Sequence, residues 1–187
     1  MENSSLKFAA IDIGSNAVRL LLARVFTNKD HPIIKKESLI RIPLRLGVDS
    51  FIHQSISDKK ADSLLQTMTA FKYLISAYNA IDFIACATSA MREAKNAAGI
   101  VTAIKKQTGI VLEIVDGKKE ADIIYSNHIE EELDKKKSYL YIDVGGGSTE
   151  LTLFSNKRKV ASKSFNIGTV RLLKEMVPKE YWKEMRK

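Results

Sequence analysis

Asp143-Val144-Gly145-Gly146-Gly147-Ser148-Thr149 ends one apolar run and begins another. Before it, Ser138 to Val144 carries Tyr139, Tyr141 and Ile142; after it, Glu150 to Phe154 forms a second run. A short apolar run stopped by glycine reads as a buried strand, so this stretch predicts strand, Asp, glycine turn, strand. The same unit occurs about 130 residues earlier. There Phe8 to Ile13 stops at Gly14, Asp12-Ile13-Gly14-Ser15-Asn16 makes the turn, and Ala17 to Phe26 returns. The repeat predicts two related structural units.

Between the turns the period changes. Ile33 to Ile42 reads as a third, weaker strand. From Asp58 to Asn79 the apolar residues Leu64, Met68, Phe71, Ile75 and Tyr78 recur in steps of three and four, which predicts an amphipathic helix with Ser57 as N-cap. Ile81 to Ala87 and Ile110 to Val115 read as strands, and Ser89 to Gln107 as a helix broken near Gly99. Lys118 to Leu133 reads as a helix with Gly117 as N-cap. After the second turn come a strand from Val160 to Phe165, a helix from Thr169 to Val177, an interruption at Pro178 and a helical stretch from Tyr181. Hairpins mixed with crossover helices predict an α/β fold with a mixed sheet flanked by helices. A boundary near residues 130–137 separates a first domain, 1–132, from the start of a second, 138–187.

The bulk properties bound the function. The 187 residues are 45% apolar, 28% charged and carry a net charge of +8. That suits one good core or two small ones, and a preference for anionic partners. The single cysteine, Cys86, excludes an internal disulfide and a multi-thiolate metal site. No signal peptide or spanning segment is visible, which predicts a cytoplasmic protein without membrane attachment. His31, His53 and His128 lack metal-ligand spacing. No aromatic-basic module favours nucleic acid. A homodimer is compatible with the sequence, which does not fix the oligomeric state.

The turns carry the chemistry. A phosphate can be bound by backbone N–H groups when the backbone comes close, and glycine permits both that approach and φ > 0. Gly14, Ser15 and Asn16, and Gly145, Gly146, Gly147 and Ser148, offer such groups with hydroxyl or amide donors beside them. Asp12 and Asp143 at the strand ends suit Mg²⁺ or another divalent cation, directly or through its waters. Taken singly, each turn is equally an ordinary glycine hairpin; the pairing is what points to phosphate.

Five blocks resemble the exopolyphosphatase / guanosine pentaphosphate phosphohydrolase family. Ala10 to Leu20 is similar to its first phosphate motif and Ile142 to Leu151 to its second. Arg45-Leu46-Gly47, Ala87-Thr88-Ser89-Ala90-Met91-Arg92-Glu93-Ala94 and Gly117-Lys118-Lys119-Glu120-Ala121 resemble the blocks between. The resemblance implies the fold of actin, sugar kinases and heat-shock chaperone ATPases, with a ribonuclease-H-like sheet in each of two domains and the active site between them. It implies hydrolysis of a terminal phosphoryl group from polyphosphate or guanosine penta/tetraphosphate, with Mg²⁺, and places the water-activating base at Glu120. Many family members have an acidic residue where this chain has Lys119, and they continue well beyond residue 187, so the second domain is expected to be incomplete.

The residues themselves leave alternatives open. Glu120 at N3 of its helix is equally a helix-start carboxylate kept ionised by the positive dipole end. Arg92 is either solvated or a fork for two phosphate oxygens. Arg19, Arg45 and Glu150 are weaker site candidates. A kinase or ATPase on the same fold, and a non-catalytic polyphosphate or alarmone sensor, both fit the two turns.

Overall fold

The computed structural model describes residues 5–26, 32–125 and 133–186. Strand β1 (Ser5–Ile13) folds back antiparallel onto β2 (Val18–Phe26), and β2 onto β3 (Ile33–Ile42). Short α1 (Leu46–His53) leads into the long α2 (Asp58–Tyr78). That helix returns the chain to β4 (Asp82–Ala87), which lies parallel to β1. Helices α3 (Ser89–Glu93) and α4 (Ala97–Thr108) then cross over to β5 (Glu113–Ile114), parallel to β4. The sheet order β3-β2-β1-β4-β5 is the mixed sheet expected from hairpins combined with crossovers.

One face of this sheet holds the core. Inward-facing Ala9, Ile11 and Ile13 of β1 alternate with more exposed neighbours, the period-two pattern of a strand covered on one side. Against them lie Leu64, Met68, Phe71 and Ile75 of α2 and Ile100 and Ile104 of α4, all buried. Their three- and four-residue spacing puts them on a single helix face. Each such side chain contributes about 1.5–3 kcal/mol when fully buried.

After α5 (Gly117–Tyr125) the chain enters a three-stranded antiparallel sheet, β6 (Ser138–Val144), β7 (Thr149–Ser155) and β8 (Arg158–Phe165). Helices α6 (Thr169–Leu173) and α7 (Lys179–Met185) follow. Leu140, Ile142 and Val144 on β6 and Val160 on β8 are each more than half exposed, so this smaller sheet has an apolar face that the described residues leave open. No helix among the described residues is long and apolar enough to cross a membrane.

Several elements differ from the sequence reading. Helix α1 was not expected; it is eight residues long and starts from Arg45 in the left-handed region (φ 53°), so it has little periodicity to read. The break after Ser89 falls at 94–96, and Gly99 lies inside α4. The Asn96 side chain causes it, exchanging hydrogen bonds with both backbone groups of Ile56 (3.0 and 2.7 Å), while Lys95 N–H donates to Gln54 O. The cap of α5 is Asp116, whose carboxylate accepts from Lys119 N–H (2.7 Å), and Gly117 is the first helical residue. Aspartate has an acceptor to offer where glycine has none. Strand β5 is shorter than expected. The continuation of α5 towards Leu133, His31, His128 and residues 130–132 of the expected domain boundary lie outside the described residues.

Candidate active site

The two turns are built to one plan. Ile13 pairs with Val18 and Val144 with Thr149, leaving four-residue loops at 14–17 and 145–148. Gly14 N–H donates to Ala17 O (3.0 Å), and Gly145 N–H to Ser148 O (2.9 Å). Both turns are then braced from behind through their carbonyls. Ser15 O accepts from Gly47 N–H (2.9 Å) and Asn16 O from Arg45 N–H (3.0 Å), at the start of α1. Gly145 O accepts from Thr169 N–H (3.0 Å) and Gly146 O from Val170 N–H (2.9 Å), in the first turn of α6. Gly147 O accepts from Arg171 Nε (2.7 Å). In a planar trans peptide the carbonyl and the next residue's N–H point in opposite directions. Holding these carbonyls therefore turns the following N–H groups away from the bracing helix, as an anion nest requires.

The turn glycines owe their place to close approach. None of Gly14, Gly145, Gly146 and Gly147 takes the left-handed backbone, so the φ > 0 that glycine permits is not used here. A Cβ on Gly146 would lie 2.7 Å from Ser15 Cβ, and one on Gly147 would lie 2.4 Å from Phe51 Cζ. The second turn is thus pressed against the first half of the molecule.

Between the turns lies a polar cleft of about 210 Å³, lined by both of them. Asp12, Gly14, Ser15, Asn16 and Arg19 form one wall, and Asp143, Gly145, Gly146 and Ser148 the other. Glu120 of α5 reaches the same space, as do Thr88 and Ser89. Ser15 and Ser89 share a buried hydrogen bond of 2.8 Å, tying the first turn to α3. Strand register puts Arg19 opposite Asp12, and their side chains pair at 3.3 Å. Burial raises the Asp12 pKa, Arg19 draws it back, and Asp143 adds to the rise.

Glu120 has an unusual setting. Its carboxyl pKa is pushed up to about 7, first by burial and then by the nearby Glu150 carboxylate, against the pull of Arg92 at 3.6 Å. Oε2 is buried without a hydrogen-bond partner among the described residues. The expected steadying of an ionised Glu120 by the helix N-terminus is therefore outweighed by desolvation and like charge. Glu150, 3% exposed, accepts from Ser164 Oγ (2.8 Å) and pairs with Asp143 across the strands.

Other candidates sit elsewhere. Arg92 donates to Val115 O (2.8 Å) and stands beside Glu120, off the cleft lining. Arg45 is exposed and braces the first turn with its backbone. Gly147 lies behind the cleft, on Phe51 and Ser89. Lys119 is paired with Glu113 on β5. Thr88 and Ser89 were missed as site residues, although they belong to a block already singled out. Arg171 was missed too; the cue it leaves is a lone arginine within the apolar stretch Thr169-Val170-Arg171-Leu172-Leu173. Among the described residues no three or more His, Cys, Asp or Glu side chains are gathered as a ready metal cluster.

Known proteins share this architecture. The crystal structure of the Aquifex aeolicus Ppx/GppA family member is 25% identical with a TM-score of 0.76, covering 97% of this chain and 59% of that one. An exopolyphosphatase from Cytophaga hutchinsonii is 26% identical with a TM-score of 0.75, covering 90% and 53%. Exopolyphosphatase 1 of Mycobacterium tuberculosis is 26% identical over 180 residues, 92% of this chain and 49% of that protein. A bifunctional 3-dehydroquinate synthase/phosphatase of Fusobacterium nucleatum is 32% identical over 169 residues, 88% of this chain and 25% of that protein. The chain thus spans from a quarter to about half of the length of these curated relatives. The sequence profile of the Ppx/GppA phosphatase family matches residues 30–187. With its paired turns, mixed sheet and facing carboxylates, the chain belongs to the Ppx/GppA phosphatase family.

Proposed function

We propose that this chain carries the catalytic cleft of a Mg²⁺-dependent phosphohydrolase that releases terminal phosphate from inorganic polyphosphate or guanosine pentaphosphate. The observation that carries the reading is Glu120: a partly buried carboxylate with a pKa near 7, ion-paired to Arg92 at 3.6 Å, on the lining of the space between two N–H-presenting turns. A general base is most effective when its pKa lies near the working pH. Glu120 accepts a proton from an attacking water, and the turns hold the transferred phosphoryl group by Gly14, Ser15 and Asn16 on one side and Gly145, Gly146 and Ser148 on the other. Gly147 and Arg92 act from behind, Gly147 through its carbonyl and Arg92 through Glu120. Phosphoryl transfer depends mainly on positioning and charge neutralisation.

Asp12 and Asp143 fit a hard cation that keeps most of its waters. Both carboxylates line one cleft, and Mg²⁺ typically binds through one or two carboxylates plus substrate phosphates. When bound, the cation would neutralise charge on the phosphate oxygens. Arg19 would supply further positive charge at the rim.

The test is phosphate release from long-chain polyphosphate, guanosine pentaphosphate and ATP, with Mg²⁺, for the wild type and Glu120→Gln. Release from the first two, lost in Glu120→Gln, is expected. Release that survives Glu120→Gln removes the base; turnover of ATP alone favours a kinase or ATPase. Tripolyphosphate binding without any turnover favours a sensor.

A further inference from the structure

We propose that Arg171 is a positioning residue for the cleft, fixing the second turn and locking it to the element that supports the first. The residue is 9% exposed, and its side chain engages three partners. Nε donates to Gly147 O at 2.7 Å, Nη2 donates to both carboxylate oxygens of Glu93, and the guanidinium lies 4.4 Å from the centre of the Phe51 ring. Phe51 is also the ring against which Gly147 is pressed.

These contacts close a circuit. Glu93 ends α3, the helix that begins with Ser89, and Ser89 is hydrogen-bonded to Ser15 in the first turn. One guanidinium therefore links the Gly147 carbonyl to the helix whose other end holds Ser15. The Gly147–Ser148 peptide is trans, so fixing its oxygen on Arg171 fixes the Ser148 N–H in the opposite direction. Ser148 lines the cleft. Without the anchor this peptide can rotate, and the donor it presents to a phosphate is lost. Lysine keeps the charge but cannot bind a carbonyl, fork a carboxylate and stack on a ring together. A buried ion pair is by itself weak evidence of stabilisation, whereas its location between two parts of one cleft argues for geometry.

The kinetic side of this inference rests on the hydrolase reading; its binding side does not. The experiment compares wild type, Arg171→Lys, Glu93→Gln and the double variant. It measures thermal melting, tripolyphosphate affinity with Mg²⁺ by calorimetry, and kcat and KM for phosphate release from polyphosphate. Folded Arg171→Lys should lose about 100-fold in kcat, the scale of a small misplacement of reacting groups, with tripolyphosphate Kd raised by about tenfold or less. Glu93→Gln should lose less in the same direction, and the double variant should be no worse than Arg171→Lys, because both act through one contact. A residue that only stabilises the fold would lower the folded fraction and leave the kcat and Kd of folded protein unchanged, and that result in Arg171→Lys overturns the proposal. Losses that simply add in the double variant overturn it as well. If the wild type releases no phosphate, the hydrolase reading fails separately, and tripolyphosphate affinity decides: weakened in Arg171→Lys it supports the positioning role, unchanged it refutes it. If Arg171→Lys does not fold, Glu93→Gln carries the same readouts.

Discussion

In the first turn, Ser15 O and Asn16 O are held by the backbone N–H groups of Gly47 and Arg45, both at the start of α1. In the second, Gly145 O and Gly146 O are likewise held by backbone N–H groups, from Thr169 and Val170, but Gly147 O is held by the Arg171 side chain, which also grips Glu93 of α3. The strand register, loop length and closing hydrogen bond are the same in both. The difference lies in what each brace depends on. Backbone bracing survives any side-chain substitution that leaves α1 in place. The second turn has two backbone braces of the same kind, from Thr169 and Val170, and a third that depends on one side chain and, through it, on the first half of the molecule. The first turn is thus a fixed wall, and the second is a wall whose position is set by contact with the first.

The largest effect should come from the group both walls face. Glu120→Gln should lower phosphate release by about 10²- to 10⁴-fold, the usual contribution of a general base, with both turns intact by tripolyphosphate binding. If release persists, the two turns converge on something other than Glu120. The wild-type rate should climb as pH rises through about 7, where Glu120 ionises, and Glu120→Gln should lack that limb in a pH–rate profile.

Stability gives the same residue the opposite sign. The folded pKa is raised from 4.5 to about 7, so ionisation costs the folded state free energy. The favourable contribution of Glu120 is present in full below pH 4.5 and is lost as pH rises through 7. Urea denaturation at pH 8 should therefore find Glu120→Gln more stable than wild type by about 3 kcal/mol, and no different at pH 4. A loss of stability at pH 8 would mean that Glu120 is a structural carboxylate.

Adding one methyl group separates the two walls. A Cβ at Gly147 meets Phe51 and Ser89 at 2.4 and 2.7 Å, whereas one at Gly14 meets only Ala17 O, at 3.3 Å. Gly147→Ala should cost about 1–3 kcal/mol by overpacking, and Gly14→Ala less than about 1 kcal/mol, in thermal melts. Equal costs would show that the second turn does not depend on its contact with the first half. The smallest effect belongs to the mouth: Arg19→Ala removes a half-exposed pair with Asp12 and should change stability by about 0–1 kcal/mol, while weakening tripolyphosphate binding more at low salt than at high salt.

Much of this was legible in the sequence, because it is local. Period-two and period-3.6 patterns mark the strands and α2, since burial on one face leaves that signature in consecutive residues. The repeated strand–Asp–glycine–strand unit, and the position of Glu120 near a helix start, are also local. The repeat even implied facing turns. What the sequence could not carry is which side chains meet across the cleft. The glycines read as allowing both close approach and φ > 0; the structure uses the close approach, and the room is set by Phe51 and Ser89 from distant segments. Arg92, read as either solvated or a phosphate fork, stands beside Glu120, while Arg171, marked only as a lone arginine in an apolar stretch, joins Gly147 to Glu93. Glu120 read as ionised, because a helix start is visible in sequence and burial beside Glu150 is not. Backbone conformation follows from near neighbours. Desolvation, charge coupling and steric contact depend on distances that only the folded chain fixes.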